Sequence, residues 1–324
     1  MSQLQCSNPA VTGYDIIGDI HGCGRLLSAL LNKLGYEQKD DCFRHAERKA
    51  IFLGDLIDRG DEIRDTVNIV RRMVENDAAH MVIGNHEYAA ITFSTPAPES
   101  FDRPFLKKHT PRIKRMLGQT ISQYHDYQEE WQSTVQWFRS LPLYLEFDNF
   151  RVVHACWDQQ KIDDFDELDV GNSLGDDEFL TASVQPLTTP NRIIERLLKG
   201  TDMPLPDGLV IKGADGFTRS RFRTKFWKAA PKTYSDIVFQ PDRIPNHLLK
   251  RKLSGDEKNR LIHYGEREKP LFVGHYWRKG PPRLIRDNIA CLDYSAVSHG
   301  KLVAYRIDVD DKVLDQDRLV WVSA

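Results

Sequence analysis

Six residues able to ligate a divalent cation stand at the ends of five short apolar runs, and that placement points to metal chemistry. Tyr14 to Ile17 leads into Gly18-Asp19-Ile20-His21-Gly22, and Ala50 to Leu53 into Gly54-Asp55-Leu56-Ile57-Asp58-Arg59-Gly60. His80 to Ile83 leads into Gly84-Asn85-His86-Glu87, Val152-Val153 into His154, and Leu271 to Val273 into Gly274-His275. Short apolar runs closed by turn residues read as buried strands, and in open α/β sheets ligands collect at the carboxyl ends of strands. The set Asp19, His21, Asp55, Asn85, His154 and His275 mixes oxygen and nitrogen donors, which suits a pair of divalent ions. Side chains two apart on a strand face the same way, so Asp19 and His21 can reach one cation from one strand end. Arg59 has the planar fork to hold two phosphoryl oxygens. Glu87 reads as a cap on the helix that follows it. Manganese or zinc suits these donors, and iron and nickel are compatible with them.

Such residues need a scaffold that brings five strand ends to one edge. Leu26, Leu27, Leu30, Leu31 and Leu34 recur at helical spacing and stop at Gly35, giving a first strand-loop-helix unit. A second unit is a strand over 50–53 and a helix over 62–76 with Ile63, Val67, Val70 and Val74 on one side. The third strand is His80 to Ile83, and the alternation argues for a largely parallel sheet. Trp131 to Leu141 reads as a helix with Val135 and Phe138 inward, and Leu143–Phe147 with Arg151–His154 as a hairpin. Residues 157–268, with a helix expected at 191–199, are too long for a structureless connection and form a folded insertion, a substrate or cap region.

At 324 residues and 40% apolar content, one α/β domain over 1–324 with that insertion accounts for the chain. A net charge of −2 gives no global pull toward nucleic acid or anionic membrane, so any basic surface is local. Cys6, Cys23, Cys42, Cys156 and Cys291 are odd in number and lack a Cys-x-x-Cys pair, which argues for a reducing compartment. Neither a signal-like N-terminus nor a membrane-length apolar run is present, so a cytoplasmic protein without a membrane partner is expected.

Gly-Asp-x-His-Gly, Gly-Asp-x-x-Asp-Arg-Gly and Gly-Asn-His-Glu, in that order, resemble the motifs of the calcineurin-like metallophosphoesterases. The branch they resemble holds the phosphoprotein phosphatases and the symmetrical diadenosine tetraphosphate hydrolases. The likeness covers residues 14–93, resumes at His154, and returns over 271–307. It implies an α/β sandwich of two mixed β-sheets flanked by helices and two divalent metal ions, manganese first among them. It also implies that Asp55 bridges the metals, that Asn85, His154 and His275 complete the second, and that a metal-bridging hydroxide attacks phosphorus. His86 is then the general acid, with Asp58 fixing its tautomer. Ile83 stands where the protein phosphatases carry arginine, and His275-Tyr276-Trp277 resembles the dinucleotide hydrolases, while Asp58-Arg59 and Glu87 resemble the protein phosphatases.

Three readings of substrate follow. The leading one is hydrolysis of phosphomonoesters on a phosphoprotein or small metabolite. The alternatives are symmetrical cleavage of dinucleoside polyphosphates of the diadenosine tetraphosphate type, and a nucleic-acid end phosphatase. A scaffold that has lost catalysis predicts a missing ligand or a missing His86, and neither is missing. Trp157, Tyr276 and Trp277 flank ligand histidines, where core packing competes with stacking on a nucleobase. Arg219, Arg221, Arg223 and Lys225 share one face of an expected strand, either steering an anion or pairing with the acidic run Asp163 to Asp169. The basic run Arg103, Lys107, Lys108, Arg112, Lys114 and Arg115 reads as a solvated connection.

Overall fold

The computed structural model describes residues 11–213, 216–239, 244–297 and 300–323. Cys6 and His299 lie outside these. β1 (Gly13–Ile17) feeds a loop and α1 (Gly24–Leu34), which buries Leu27, Leu30, Leu31 and Leu34. Gly35 ends α1 at φ 90°, a left-handed turn that only glycine takes without strain. A small hairpin, β2 (Glu37–Lys39) and β3 (Cys42–Arg44), precedes β4 (Arg48–Phe52). Then come α2 (Ile63–Glu75), β5 (Ala79–Met81) and α3 (Asn85–Ser94). In α2 the buried stripe is Ile63, Thr66, Val67, Val70 and Met73, with the expected Val74 only partly covered.

The middle of the chain supplies α4 (Pro111–Met116), α5 (Gly118–Gln123) and α6 (Gln128–Ser140), the last with Val135 and Phe138 inward as expected. The expected hairpin is β6 (Tyr144–Glu146) against β7 (Arg151–Val153), antiparallel with Leu145 opposite Val152. α7 (Gln159–Asp166), α8 (Asp177–Ser183) and α9 (Thr189–Lys199) follow. Thr188 caps α9 by accepting from the Asn191 N–H, with Pro190 in the first turn. Next are β8 (Asp202–Pro204), β9 (Ile211–Lys212), β10 (Thr218–Arg219), β11 (Arg221–Thr224) and β12 (Val238–Phe239). The chain closes with β13 (Leu271–Val273), β14 (Ile289–Cys291), β15 (Asp293–Tyr294), β16 (Lys301–Asp308) and β17 (Leu319–Ser323).

Two mixed sheets make the body. One runs β15-β16-β1-β4-β5 with β17 on β16; β1, β4 and β5 are parallel and β16 is antiparallel. The other runs β14-β13-β7-β6, parallel except for its hairpin edge. Ile16, Ile51 and Val82 from the first sheet meet Val152, Phe272 and Ala290 from the second in one apolar layer. The opposite face of each sheet is closed by helices in the largest core, to which Leu30, Val70, Phe138 and Ile194 belong. Parallel pairing in the first sheet is therefore confined to β1, β4 and β5, because β16 returns antiparallel between β1 and β15.

Residues 157–268 divide their packing. Ile162, Phe165, Leu180 and Ile193 of α7 to α9 join the main core, whereas Met203, Phe222, Tyr234 and Leu253 form a small core of their own. No helix among the described residues is long and apolar enough to cross a membrane.

Candidate metal centre and its cleft

Two parallel strand systems deliver the ligand candidates to one place. Asp19 and His21 leave β1, Asp55 and Asp58 leave β4, Asn85 and His86 follow β5, His154 follows β7, and His275 follows β13. The loops must turn sharply, and His21, Asp55, Asp58, Arg59 and His275 all take φ between 50 and 72°, the left-handed region. Each such residue costs on the order of 1 to 3 kcal/mol, so the surrounding bonds must hold it. They do: the N–H groups of Ile20 and His21 donate to the Asp55 carbonyl at 3.2 and 2.9 Å. The buried Glu87 carboxylate accepts from the N–H groups of Gly84, Asp55 and Leu56 at 3.0, 2.8 and 2.8 Å. It caps α3 as the sequence suggested and also ties the β4 loop to the β5 loop.

Glycine is required where side chains converge. A Cβ on Gly84 would lie 2.3 Å from Asp55 Oδ1, and one on Gly274 would lie 2.0 Å from Asp19 Oδ1.

Asp55 stands at the middle of the cluster. Its Oδ2 lies 3.6 Å from His21 Nε2 and 3.7 Å from His86 Nε2, while its Oδ1 lies 3.5 Å from His154 Nε2. Two donor groups result, His21 with Asp55 and His86, and Asp55 with His154 and His275. Asn85 Oδ1 lies 3.1 Å from His154 Nε2 and 2.6 Å from His275 Nδ1, so it joins the second group. Asp19 lies beside the cluster, its carboxylate accepting from the His275 N–H at 3.1 Å. His21 Nδ1 and His154 Nδ1 donate to the carbonyls of Ile57 and Leu53 at 2.8 and 2.6 Å, which leaves each Nε2 as a lone-pair donor.

Burial and charge agree with a cation site. Burial, the Arg59 charge and the neighbouring His86 hold the His21 imidazole well below its usual pKa, in the neutral form that binds metal. Burial also keeps His275 neutral, helped by Arg223 and His154. Burial opposes ionisation of Asp55, but the rings of His154, His86 and His21 outweigh it and hold the carboxyl below the usual range. Burial, then Asp293 and Asp55, push Asp19 upward, a repulsion that nearby cations relieve. His275 Nε2 is buried without a hydrogen-bond partner among the described residues. An orphaned imidazole nitrogen beside carboxylates and an amide oxygen fits divalent ions, so the residues present suit the metals that their sequence implied.

His86 faces the cluster from one side. Its Nδ1 lies 2.5 Å from Asp58 Oδ2, and its Nε2 lies 3.4 Å from an Arg59 guanidinium nitrogen. Thr120 of α5 clamps Asp58 twice, accepting from its N–H at 3.0 Å and donating to Oδ1. Thr120 carries no motif and was invisible in the sequence. Asp293 was legible but missed: it follows the apolar run Ile289 to Leu292, is buried, and presses electrostatically on Asp19.

The cluster opens into a cleft of about 970 Å³ whose lining includes Arg59, His86, Arg112, Arg115, Phe217 and Arg223. Two expectations need correction here. The row Arg219 to Lys225 is not one strand face: Arg219 lies on β10, paired with β9, and Arg221 and Arg223 lie on β11, paired with β8 and β12. Arg221 pairs with Asp202, and Arg223 donates to the His275 carbonyl at 3.0 Å, so neither uses the Asp163 to Asp169 run. The basic connection is not merely solvated, because Arg112 and Arg115 wall the cleft. Tyr276 and Trp157 are sealed in the core, Tyr276 against Phe226 and Phe239, and Trp157 against Tyr144. Core packing has claimed both.

A model of the calcineurin-like phosphoesterase family matches residues 14–196. The chain is 31% identical over 147 residues to the bis(5'-nucleosyl)-tetraphosphatase PrpE [asymmetrical] of Oceanobacillus iheyensis, covering 44% of this chain and 54% of that protein. It is 34% identical over 147 residues to the protein of the same name from a Geobacillus species, covering 44% and 55%. The chain spans about half the length of these curated relatives. A cold-active protein-tyrosine phosphatase of a psychrophilic Shewanella species shares the fold at a TM-score of 0.51 and 14% identity, over 95% of this chain and 82% of that one. With the match running over more than half of the chain and through the motif loops after β1, β4 and β5, this protein belongs to the calcineurin-like phosphoesterase family.

Proposed function

We propose that the protein is a dinuclear metal-dependent phosphohydrolase that cleaves dinucleoside polyphosphates. One observation carries the reading: the donor cluster opens into a cleft of about 970 Å³ whose lining, among the described residues, sets Arg59, Arg112, Arg115, Lys199, Arg219, Arg221 and Arg223 against the carboxylates of Glu195 and Asp202 alone. In a chain of net charge −2, a basic excess in one cleft that persists after its two carboxylates are counted suits a substrate with several phosphoryl charges better than a single phosphomonoester. The names of the relatives support the same class, and in them the cleavage is asymmetrical.

Asp19, His21, Asp55, Asn85, His154 and His275 would hold the two ions. When bound, such ions make water nucleophilic at neutral pH and neutralise charge on phosphoryl oxygens. The protein's own groups orient the rest. Asp55 turns one oxygen to each donor group, and Arg59 offers its fork to the phosphoryl group beside His86. His86 delivers a proton from Nε2 to the departing oxygen; Asp58 holds Nδ1–H, and Thr120 holds Asp58. Burial excludes competing water around these contacts.

The test is a manganese-reconstituted assay on diadenosine tetraphosphate, a phosphopeptide and p-nitrophenyl phosphate, with products separated by chromatography. Diadenosine tetraphosphate should give the highest kcat/KM, with AMP and ATP as products. Two ADP molecules would place the cut at the symmetrical bond, and a preference for the phosphopeptide would sink the proposal.

A further inference from the structure

We infer that Asp293 is a further acidic member of the metal centre, a positioning residue whose charge helps to hold the cation beside Asp19. The inference rests on the two-metal part of the reading above and adds a residue outside the ligand set. Most buried carboxylates have strong partners among the described residues. Asp15 pairs with Arg48 and Arg306, Asp158 with Arg196 and Asp58 with His86. Asp55 lies among imidazoles, and Glu87 takes several backbone N–H groups. Asp19 and Asp293 are the exceptions: each accepts from one N–H group, that of His275 and that of Ser295, and neither forms an ion pair among the described residues.

The backbone brings these two together. The chain leaves the second sheet at β14 and enters the first at β15, and Leu292 makes the crossing. Its N–H donates to the Val273 carbonyl at 2.9 Å, and its carbonyl lies against Gly18, where a Cβ would come within 2.2 Å. The Asp293 carbonyl accepts from the Arg278 N–H at 2.9 Å. Asp293 is thereby set between the loop that carries Asp19 and the loop that carries His275, and its charge acts on Asp19 more strongly than that of Asp55. Like Asp19, it stands beside the two donor groups rather than in them. Two like charges buried side by side with so few donors are strongly unfavourable unless a cation compensates them. The candidate ligands bring only the charges of Asp19 and Asp55 to a pair of divalent ions, and Asp293 adds a third.

A turn-forming role competes with this one. Asp293 Oδ1 accepts from the N–H two residues on, at 3.0 Å, where Ser295 takes φ 58°. Asparagine makes that turn as aspartate does but carries no charge, so Asp293→Asn separates the two roles. Chelator-stripped wild type and Asp293→Asn would be titrated with manganese by calorimetry and melted with and without the metal. Wild type should bind two ions. The variant should bind one of them about 10- to 100-fold more weakly. Its metal-free form should melt higher than metal-free wild type, because one of the like charges has gone. Equal manganese affinity in the two proteins, or a melting temperature lowered equally with and without metal, would make Asp293 a turn residue and overturn the inference alone. A wild type that binds no manganese would remove the metal reading and the inference with it. Failure of diadenosine tetraphosphate as a substrate moves neither readout, so the assigned reaction and the role of Asp293 stand or fall separately.

Discussion

Gly84→Ala places one methyl group where the structure leaves no room for it. The added Cβ would sit 2.3 Å from Asp55 Oδ1, 2.4 Å from the Asp55 backbone nitrogen and 2.7 Å from Glu87 Oε2. The backbone atom cannot yield without dragging the β4 loop, whose carbonyl also holds Ile20 and His21. Restoring ordinary contact to the carboxylate needs a shift of about 1 Å, and a misplacement of that size costs about 100-fold in rate. Overpacking adds about 1 to 3 kcal/mol of destabilisation. Gly118→Ala is the control, since nothing among the described residues lies within 4 Å of the added Cβ. Both proteins, loaded with manganese, would be compared by metal content, by kcat on p-nitrophenyl phosphate and by melting temperature. Gly84→Ala should lose metal and about 100-fold in kcat, and Gly118→Ala should match wild type. A Gly84→Ala enzyme with full metal content and normal turnover would refute the claim that this contact sets the position of Asp55.

Other consequences follow from the same geometry. His86→Asn should slow alkyl phosphates about 10²- to 10⁴-fold while p-nitrophenyl phosphate, whose leaving group needs little protonation, suffers far less; equal losses with metal retained would remove His86 as the acid. Thr120→Val should show the same leaving-group selectivity more weakly, because it frees Asp58 from its clamp at a cost of about 1 to 3 kcal/mol; a lower melting temperature with unchanged selectivity would make Thr120 purely structural. Burial and the Lys199 charge bring the Lys107 amine down from 10.5 to about 8. The unfolded chain therefore binds the extra proton between those values, so this group's contribution to stability rises with pH through that window and is unfavourable below it. Lys107→Met should be more stable than wild type at pH 7 by on the order of 1 to 3 kcal/mol, with the gap closing toward pH 10 in urea unfolding. A gap that does not change with pH would contradict the buried charge.

The convergence of the candidate donors was legible in the sequence because local rules create it. Short apolar runs become buried strands whatever surrounds them, glycine marks where the chain must turn, and parallel strands share one carboxyl edge. Asp19, His21, Asp55, Asn85, His154 and His275 could therefore be gathered without coordinates, and Asp293 yields to the same rule. Alternation failed at Arg219 to Lys225, because period two says which side chains share a face and nothing about which strand pairs with which. The chain divides around Ser220, sending Arg219 to β9 and Arg221 to Asp202, and that depends on partners far away in sequence. Distance in sequence also hid Thr120, which meets Asp58 across 62 positions, and Arg112 and Arg115, which reach the cleft only because α4 stands opposite β10. Tyr276 follows a candidate ligand histidine, yet its ring is taken by Phe226, Trp227 and Phe239. Residue type and spacing determined what bonds the centre can make; long-range packing decided which surfaces surround it, and with them the choice of substrate.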